Sequence, residues 1–405
     1  MPHSWWRFLF ISLALAASCQ PSTPTEQGTT PPPVPDSMQP AVVLPAPRAP
    51  DTVDWMGKGL PEKAATDTTF QIDGKLYRLR LSATADSAHM LRVKVSGRTG
   101  EAYAADSSAP EPEVVQGPAG RYLIQLQDAA GRTVLRKEFH KPDFYAVAPP
   151  DEVVVSLPAP PQFLGYYPNM GGLAFWQLLG IPDSDVGTYV FYMLDLRGQV
   201  RELSFGNQFG EGRADCAPLP APGGAAFLTC DRLLRVGRPP LPLQKPHADL
   251  ALARFLSDST LLTIYQYGEY AVTYDSAGHA ESMEWKVPPR MQNQPNAFVL
   301  NFEGMKLAQF RYQGFSEGLG YTVPRAYVPT TDTYYLLDEE RGLQLIDKKN
   351  PTATREVKFR QMSRFRSPRK LSEVRFVLTA GSQYEFYVDK SRPERIRYRR
   401  LPLEG

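Results

Sequence analysis

Alternation of apolar and polar positions is clearest between residues 67 and 147. Residues 75–81 place Leu79 and Leu81 on one face with charged neighbours between them. Residues 89–96 place Leu91, Val93 and Val95 on one face and Arg92 and Lys94 on the other. Period-two patterning of this kind predicts half-buried strands. Residues 121–139 read as a hairpin with Asp128-Ala-Ala-Gly131 at its tip, where Asp caps the turn and Gly131 accepts a positive φ. Together these strands predict a small antiparallel β-sandwich over 67–147. A Pro-rich stretch then links it to the rest of the chain.

Short apolar runs recur after residue 162, at 188–194, 226–229, 261–267, 297–301, 333–337, 374–378 and 384–388. Turns carrying Asp and Gly or Pro follow several of them: Asp195 to Gly198, Asp275 to Gly278, Asp338 to Gly342, Asp389 to Pro393. Counting Asp231, about residue 302 and Asp347 as well, the turns fall 27–45 residues apart. This rhythm is close to the ~40 residues of a four-stranded propeller blade. Residues 162–405 therefore resemble a degenerate β-propeller of five or six blades. The resemblance rests on the strand–turn spacing, since WD and kelch signatures are missing, and an ordinary antiparallel sandwich or barrel would show the same hairpins. The fold expected is all-β, a small N-terminal sandwich followed by a propeller-like domain.

The N-terminus reads as an address. Residues 8–17 form an apolar run behind Arg7, about half the ~20 residues needed to span a bilayer. Ala16, Ala17 and Ser18 precede Cys19, so residues 1–18 read as a signal peptide. Leu15-Ala-Ala-Ser-Cys19 resembles the lipobox of bacterial lipoproteins, although the family places Leu three residues before Cys and this chain has Ala16 there. The resemblance implies diacylglycerol on the Cys19 sulfur and cleavage before it. It also implies, because Gln20 is not acidic, an outer-membrane anchor with the body in the periplasm, surface exposure remaining open. An ordinary secretory signal cut between Ala17 and Ser18 is the alternative. Residues 19–66, rich in Pro and Thr, read as a stalk of extended polyproline II character. At ~3.1 Å per residue, thirty such residues reach up to ~90 Å.

Composition narrows the function classes. Lys+Arg 45 against Asp+Glu 43 leaves a net charge of +2, without the basic excess of a nucleic-acid protein. Proline is 39 of 405 residues, which argues against a helical fold. Of 3 cysteines, Cys19 is the expected anchor, while Cys216 and Cys230 can either close one loop or remain buried thiols. Arg213, Asp215, Asp231 and Arg232 flank those two cysteines as a candidate polar cluster, able to bind an anion or to serve as plain surface ion pairs. Tyr166, Tyr167, Phe175 and Trp176 form a candidate aromatic binding loop for a sugar or peptide, or else core. The 5 histidines form no zinc spacing, and no metal or cofactor is expected. Arginines gather at the C-terminus: Arg364, Arg366, Arg369, Arg375, then Arg392, Arg395, Arg397, Arg399 and Arg400. Such a stripe suits an anionic surface or a charge-guarded strand edge.

The expected function is a lipid-anchored envelope protein acting as a non-enzymatic binding or scaffold platform, with an envelope protein or glycan as partner. The alternative is a periplasmic transferase or hydrolase with its site at the propeller centre. Its domain order would be similar to that of the aryl-sulfate sulfotransferases, and Arg213, Asp215, His247 or His279 would have to converge.

Overall fold

A strand with one apolar face must find a second layer to cover it. The computed structural model describes residues 52–60, 65–95, 113–209, 214–274, 280–317, 320–365 and 369–402. The first sheet pairs Asp67–Ile72, Lys75–Val95, Glu113–Asp128 and Thr133–His140 in chain order, all antiparallel. Leu79, Leu81, Tyr122, Ile124 and Leu126 fill its inner face. Its outer face carries Arg78, Arg80 and Arg136 toward solvent. The cover for the inner face comes from Phe175, Val190, Tyr192 and Leu194 of the next sheet. Segment 67–147 thus supplies one layer of a sandwich, and the second layer lies beyond the Pro-rich stretch.

That stretch is folded. A 3-10 turn, Lys141–Phe144, and a six-residue helix, Pro150–Val155, close the end of the first core with Phe144 and Val153. Lys141 is fully buried there, its Nζ donating to the carbonyls of Val154 at 2.8 Å and Ser156 at 2.6 Å. Burial pushes its ammonium down to about 8.

Five further sheets of four or five strands follow in chain order, besides two two-stranded hairpins. The second contains Leu157–Pro158, Gln162–Tyr167, Gly172–Gly180, Gly187–Leu194 and Val200–Phe209. The third runs from Leu219–Pro220 through Ala226–Leu228 and Arg232–Arg235 to Arg238–Pro242. The fourth orders Ala248–Phe255, Thr260–Tyr267, Ala297–Asn301 and Lys306–Phe310, with the hairpin Glu269–Tyr274 and Ala280–Lys286 inserted at its middle. The fifth is the meander Arg325–Val328, Thr333–Asp338, Gly342–Asp347, Arg355–Lys358. In the sixth, Ser363–Arg364 lies beside Arg392–Leu401 in parallel, followed by Ser382–Asp389 and Glu373–Ala380.

Each sheet packs on the next. Trp176 and Phe191 of the second meet Phe227 and Leu234 of the third. Leu228 and Leu233 meet Phe255 and Tyr265 of the fourth. Leu252 and Val299 meet Tyr334 and Ile346 of the fifth, and Leu337 and Leu345 meet Phe386 and Ile396 of the sixth. Inner sheets are therefore apolar on both faces, which is why their strands read as runs rather than as alternation. Thr333–Asp338 is buried at every position. The expected all-β class is present. Among the described residues no core joins the sixth sheet back to the first.

Residues 52–60, expected to belong to the stalk, are packed against this stack. Met56 is buried among Leu252, Leu256 and Tyr334. Trp55 packs on the core between the third and fourth sheets, and Leu60 on the one before it. Tyr334 Oη accepts from the Trp55 N–H at 3.1 Å, and Lys348 Nζ donates to the Val53 carbonyl at 2.6 Å. Trp55, Met56 and Leu60 give this short segment the apolar area that a spacer lacks, and that burial docks it.

Candidate functional site

Cys216 and Cys230 form a disulfide within the core between the third and fourth sheets. Cys230 takes a φ of +79°, and Asp231 holds the turn that follows. Thr229 Oγ1 donates to Asp231 Oδ1 at 2.5 Å, and Arg232 Nε to Oδ2 at 2.8 Å. Arg232 also reaches Glu202 at 3.4 Å.

Asp215 goes to other partners. Its backbone pairs beside Leu252 on the first strand of the fourth sheet. Oδ1 accepts from Arg254 Nη2 at 2.5 Å, and Oδ2 from Arg325 on the first strand of the fifth sheet. The same two guanidiniums donate outward to the packed N-terminal segment, Arg254 to the Lys58 carbonyl at 2.5 Å and Arg325 to the Met56 carbonyl at 3.1 Å. Burial raises the Asp215 carboxyl, but Arg325 and Arg254 outweigh it and hold it below the usual aspartate range. The arrangement is a clamp: one carboxylate, two arginines and two carbonyls joining four parts of the chain. The structure thus parts Asp215 from Asp231. Arg213 lies outside the described residues, as do Cys19, His279 and Arg366.

The aromatic candidates stand on strands. Phe175 and Trp176 are neighbours in Gly172–Gly180, so they point to opposite faces. Phe175 stacks on Tyr192 in the first core, with centroids 5.3 Å apart, and Trp176 on Tyr189 at 4.8 Å in the next. Tyr167 meets Phe227 edge-on at 5.1 Å, and Tyr166 packs against the first core. These four rings hold sheets together, a consequence of period-two alternation in a strand covered on both sides.

A groove opens where the fifth and sixth sheets meet, with a volume of about 510 Å³, within the ~300–1,000 Å³ of small-molecule sites. Phe359, Phe365, Tyr384 and Tyr398 supply rings, and Arg364, Arg399, Arg400 and Glu339 supply charge. Phe359 stacks on Tyr384 at 5.5 Å and lies tilted against Tyr398 at 5.0 Å. The Phe365 N–H donates to the Tyr398 carbonyl at 2.8 Å, which fixes Arg364 and Phe365 along the groove wall. Arg400 Nε donates to Ser382 Oγ at 2.8 Å, a neutral acceptor that leaves the cation uncompensated. Arg399 shares the buried carboxylate of Glu385 with Arg375. Burial raises the Glu385 carboxyl, but Arg399 and Arg375 together hold it below its usual range. Arg364 is exposed and has no hydrogen-bond or ion-pair partner among the described residues. Tyr384 Oη donates to Glu339 at 3.3 Å, and burial, ahead of Glu339, pushes the phenol above its ordinary value, so it remains a neutral donor.

The basic stripe pointed to Arg364, Arg399 and Arg400. Glu339, Phe359, Phe365, Tyr384 and Tyr398 were not singled out in sequence. The available signal was local: Arg364-Phe365 and Tyr398-Arg-Arg400 both set rings beside guanidiniums. What brings them together is the parallel pairing of Ser363–Arg364 with Arg392–Leu401, which no local pattern announces.

No family model matches the chain, and no curated protein matches it.

Proposed function

We propose that the chain is a non-enzymatic binding platform of the bacterial cell envelope. It is held by lipid on Cys19 at the outer membrane, with its body in the periplasm and a propeller-like stack of blades as scaffold. The observation that supports a binding role is the groove, where three arginines face one glutamate beside four rings. Guanidiniums with donors to spare suit carboxylate, sulfate or phosphate oxygens. The enzymatic alternative draws no support from Asp215 or His247. Asp215 is occupied by two arginines, and His247 pairs with the exposed Glu269 at 2.8 Å.

Two measurements test the reading. Mass spectrometry of the mature protein from envelope membranes is expected to find acylated Cys19, and Cys19→Ser is expected to move the chain into the soluble fraction. An unmodified cysteine, or a Cys19→Ser variant that stays in the membrane, removes the anchor. Displacement of an anionic fluorophore is expected to weaken at least tenfold in the Arg364→Ala/Arg400→Ala pair, on the scale of two charge-assisted hydrogen bonds, about 1.5–3 kcal/mol each. Unchanged binding removes the groove from the function.

A further inference from the structure

The groove carries one group that a simple anion site would not want. Glu339 places a carboxylate among three guanidiniums and accepts from Tyr384 Oη. A bare phosphate or a dense anionic surface would be repelled by it. A ligand that carries hydroxyl donors as well as one negative group would use both signs. The remaining wall fits the same description. Tyr384 contributes a hydroxyl, and Phe359, Phe365 and Tyr398 are half-buried rings. Aromatic surface next to hydroxyls and a carboxylate is the usual chemistry for a polyhydroxylated ring, whose C–H faces pack on arenes while its hydroxyls find donors and acceptors.

We infer that the groove binds the acidic sugar units of an anionic glycan, a carboxylate- or sulfate-bearing pyranose. Its negative group pairs with Arg364 and Arg400, and a ring hydroxyl donates to Glu339. This rests on the proposed binding role and names its ligand. Arg364 is the natural first contact, because it is exposed and its guanidinium has no acceptor among the described residues. Arg400 is the second, because the Ser382 hydroxyl and the Tyr384 ring that it meets bring it no carboxylate. Glu339 selects: it favours a ligand with hydroxyls over one with phosphate oxygens alone.

The test is titration calorimetry of the full mature chain. The probes are a short oligogalacturonate, its methyl-esterified counterpart, inorganic phosphate, and vesicles containing phosphatidylglycerol. The acid is expected to bind, with the ester and phosphate each at least about tenfold weaker. Arg364→Ala is expected to weaken the acid about tenfold with an unchanged melting temperature, since that side chain holds nothing in the fold. Glu339→Gln is expected to narrow the gap between oligogalacturonate and phosphate. Equal binding of acid and ester overturns the assignment. Phosphate or vesicles binding as tightly as oligogalacturonate, with the same dependence on Arg364, overturns the sugar assignment and leaves the anion-binding role intact. Failure of every anion to bind overturns both.

Discussion

Single residues in this protein act mainly by where their partners lie. Asp215 holds two arginines from different sheets, and both arginines hold the N-terminal segment. Asp215→Ala leaves those guanidiniums without a carboxylate. We expect a loss of about 3 kcal/mol, the lower end for breaking a buried pair, because the side chain keeps 26% exposure; urea denaturation measures it. Its carboxyl is depressed below the ordinary 3.8. Its stabilisation is therefore complete above that value and is lost as pH falls through the lower folded-state value. The variant should show a shallower acid transition. Lys141 gives a slope of the same sign in an alkaline window. Burial lowers it to about 8 from an ordinary 10.5, so between those values the unfolded chain binds the extra proton and stability rises with pH. Lys245, lowered to about 8 by burial and then by Lys306, adds the same sign. Lys141→Met should therefore reduce the rise without abolishing it, as read from denaturation midpoints at mildly alkaline pH. Of these roles, sequence revealed the residue types and not the pairings. Asp215 and Asp231 look equivalent beside their cysteines, yet one bridges three chain segments and the other braces a turn.

At the scale of elements, strands were legible wherever one face met water. Leu79, Leu81 and Val93 alternate with charge because the first sheet has an outer polar face. Phe175 and Trp176 looked like a binding loop because both faces of their strand are buried, and adjacent aromatics then serve two different cores. Segment 52–60 was hidden by its Pro-rich neighbours, although Trp55-Met56 is an apolar signal in its own right. Met56→Ala is expected to cost about 2–5 kcal/mol, the range for emptying a buried methionine site. Thermal denaturation of the full chain checks this, and a cost below about 1 kcal/mol would mean that the segment only rests on the surface. The disulfide was legible as one of two readings of Cys216 and Cys230, from their number and spacing. The groove was not, because its walls come from a parallel pair and from a turn of another sheet.

The whole molecule, from 51 onward, is one compact unit built by serial stacking. Repeating four-stranded sheets with nearest-neighbour cores behave as a nearly one-dimensional system. Protection against hydrogen exchange is expected to be highest in sheets two to five, each with a core on both faces, and lowest in the inserted hairpin Glu269–Tyr274 and Ala280–Lys286. Uniform protection across all six sheets would contradict this. The strand–turn rhythm was readable because Asp stands at turns within the meanders, Asp195 in the second sheet, Asp231 in the third, Asp347 in the fifth and Asp389 in the sixth. The boundary drawn at the Pro-rich stretch was less so, since the first core is shared across it and prolines sit on packed turns.

The docked N-terminal segment also has a consequence in time. Trp55 meets Tyr334 across 279 positions, and Val53 meets Lys348 across 295. At about 5–20 residues per second, a ribosome needs roughly 15–60 s to make that much chain. Throughout that interval the Trp55 N–H and the Val53 carbonyl lack their native partners, although Leu252 and Leu256 are made earlier and can already meet Met56. Native docking of segment 52–60 is therefore complete only once the fifth sheet has been made.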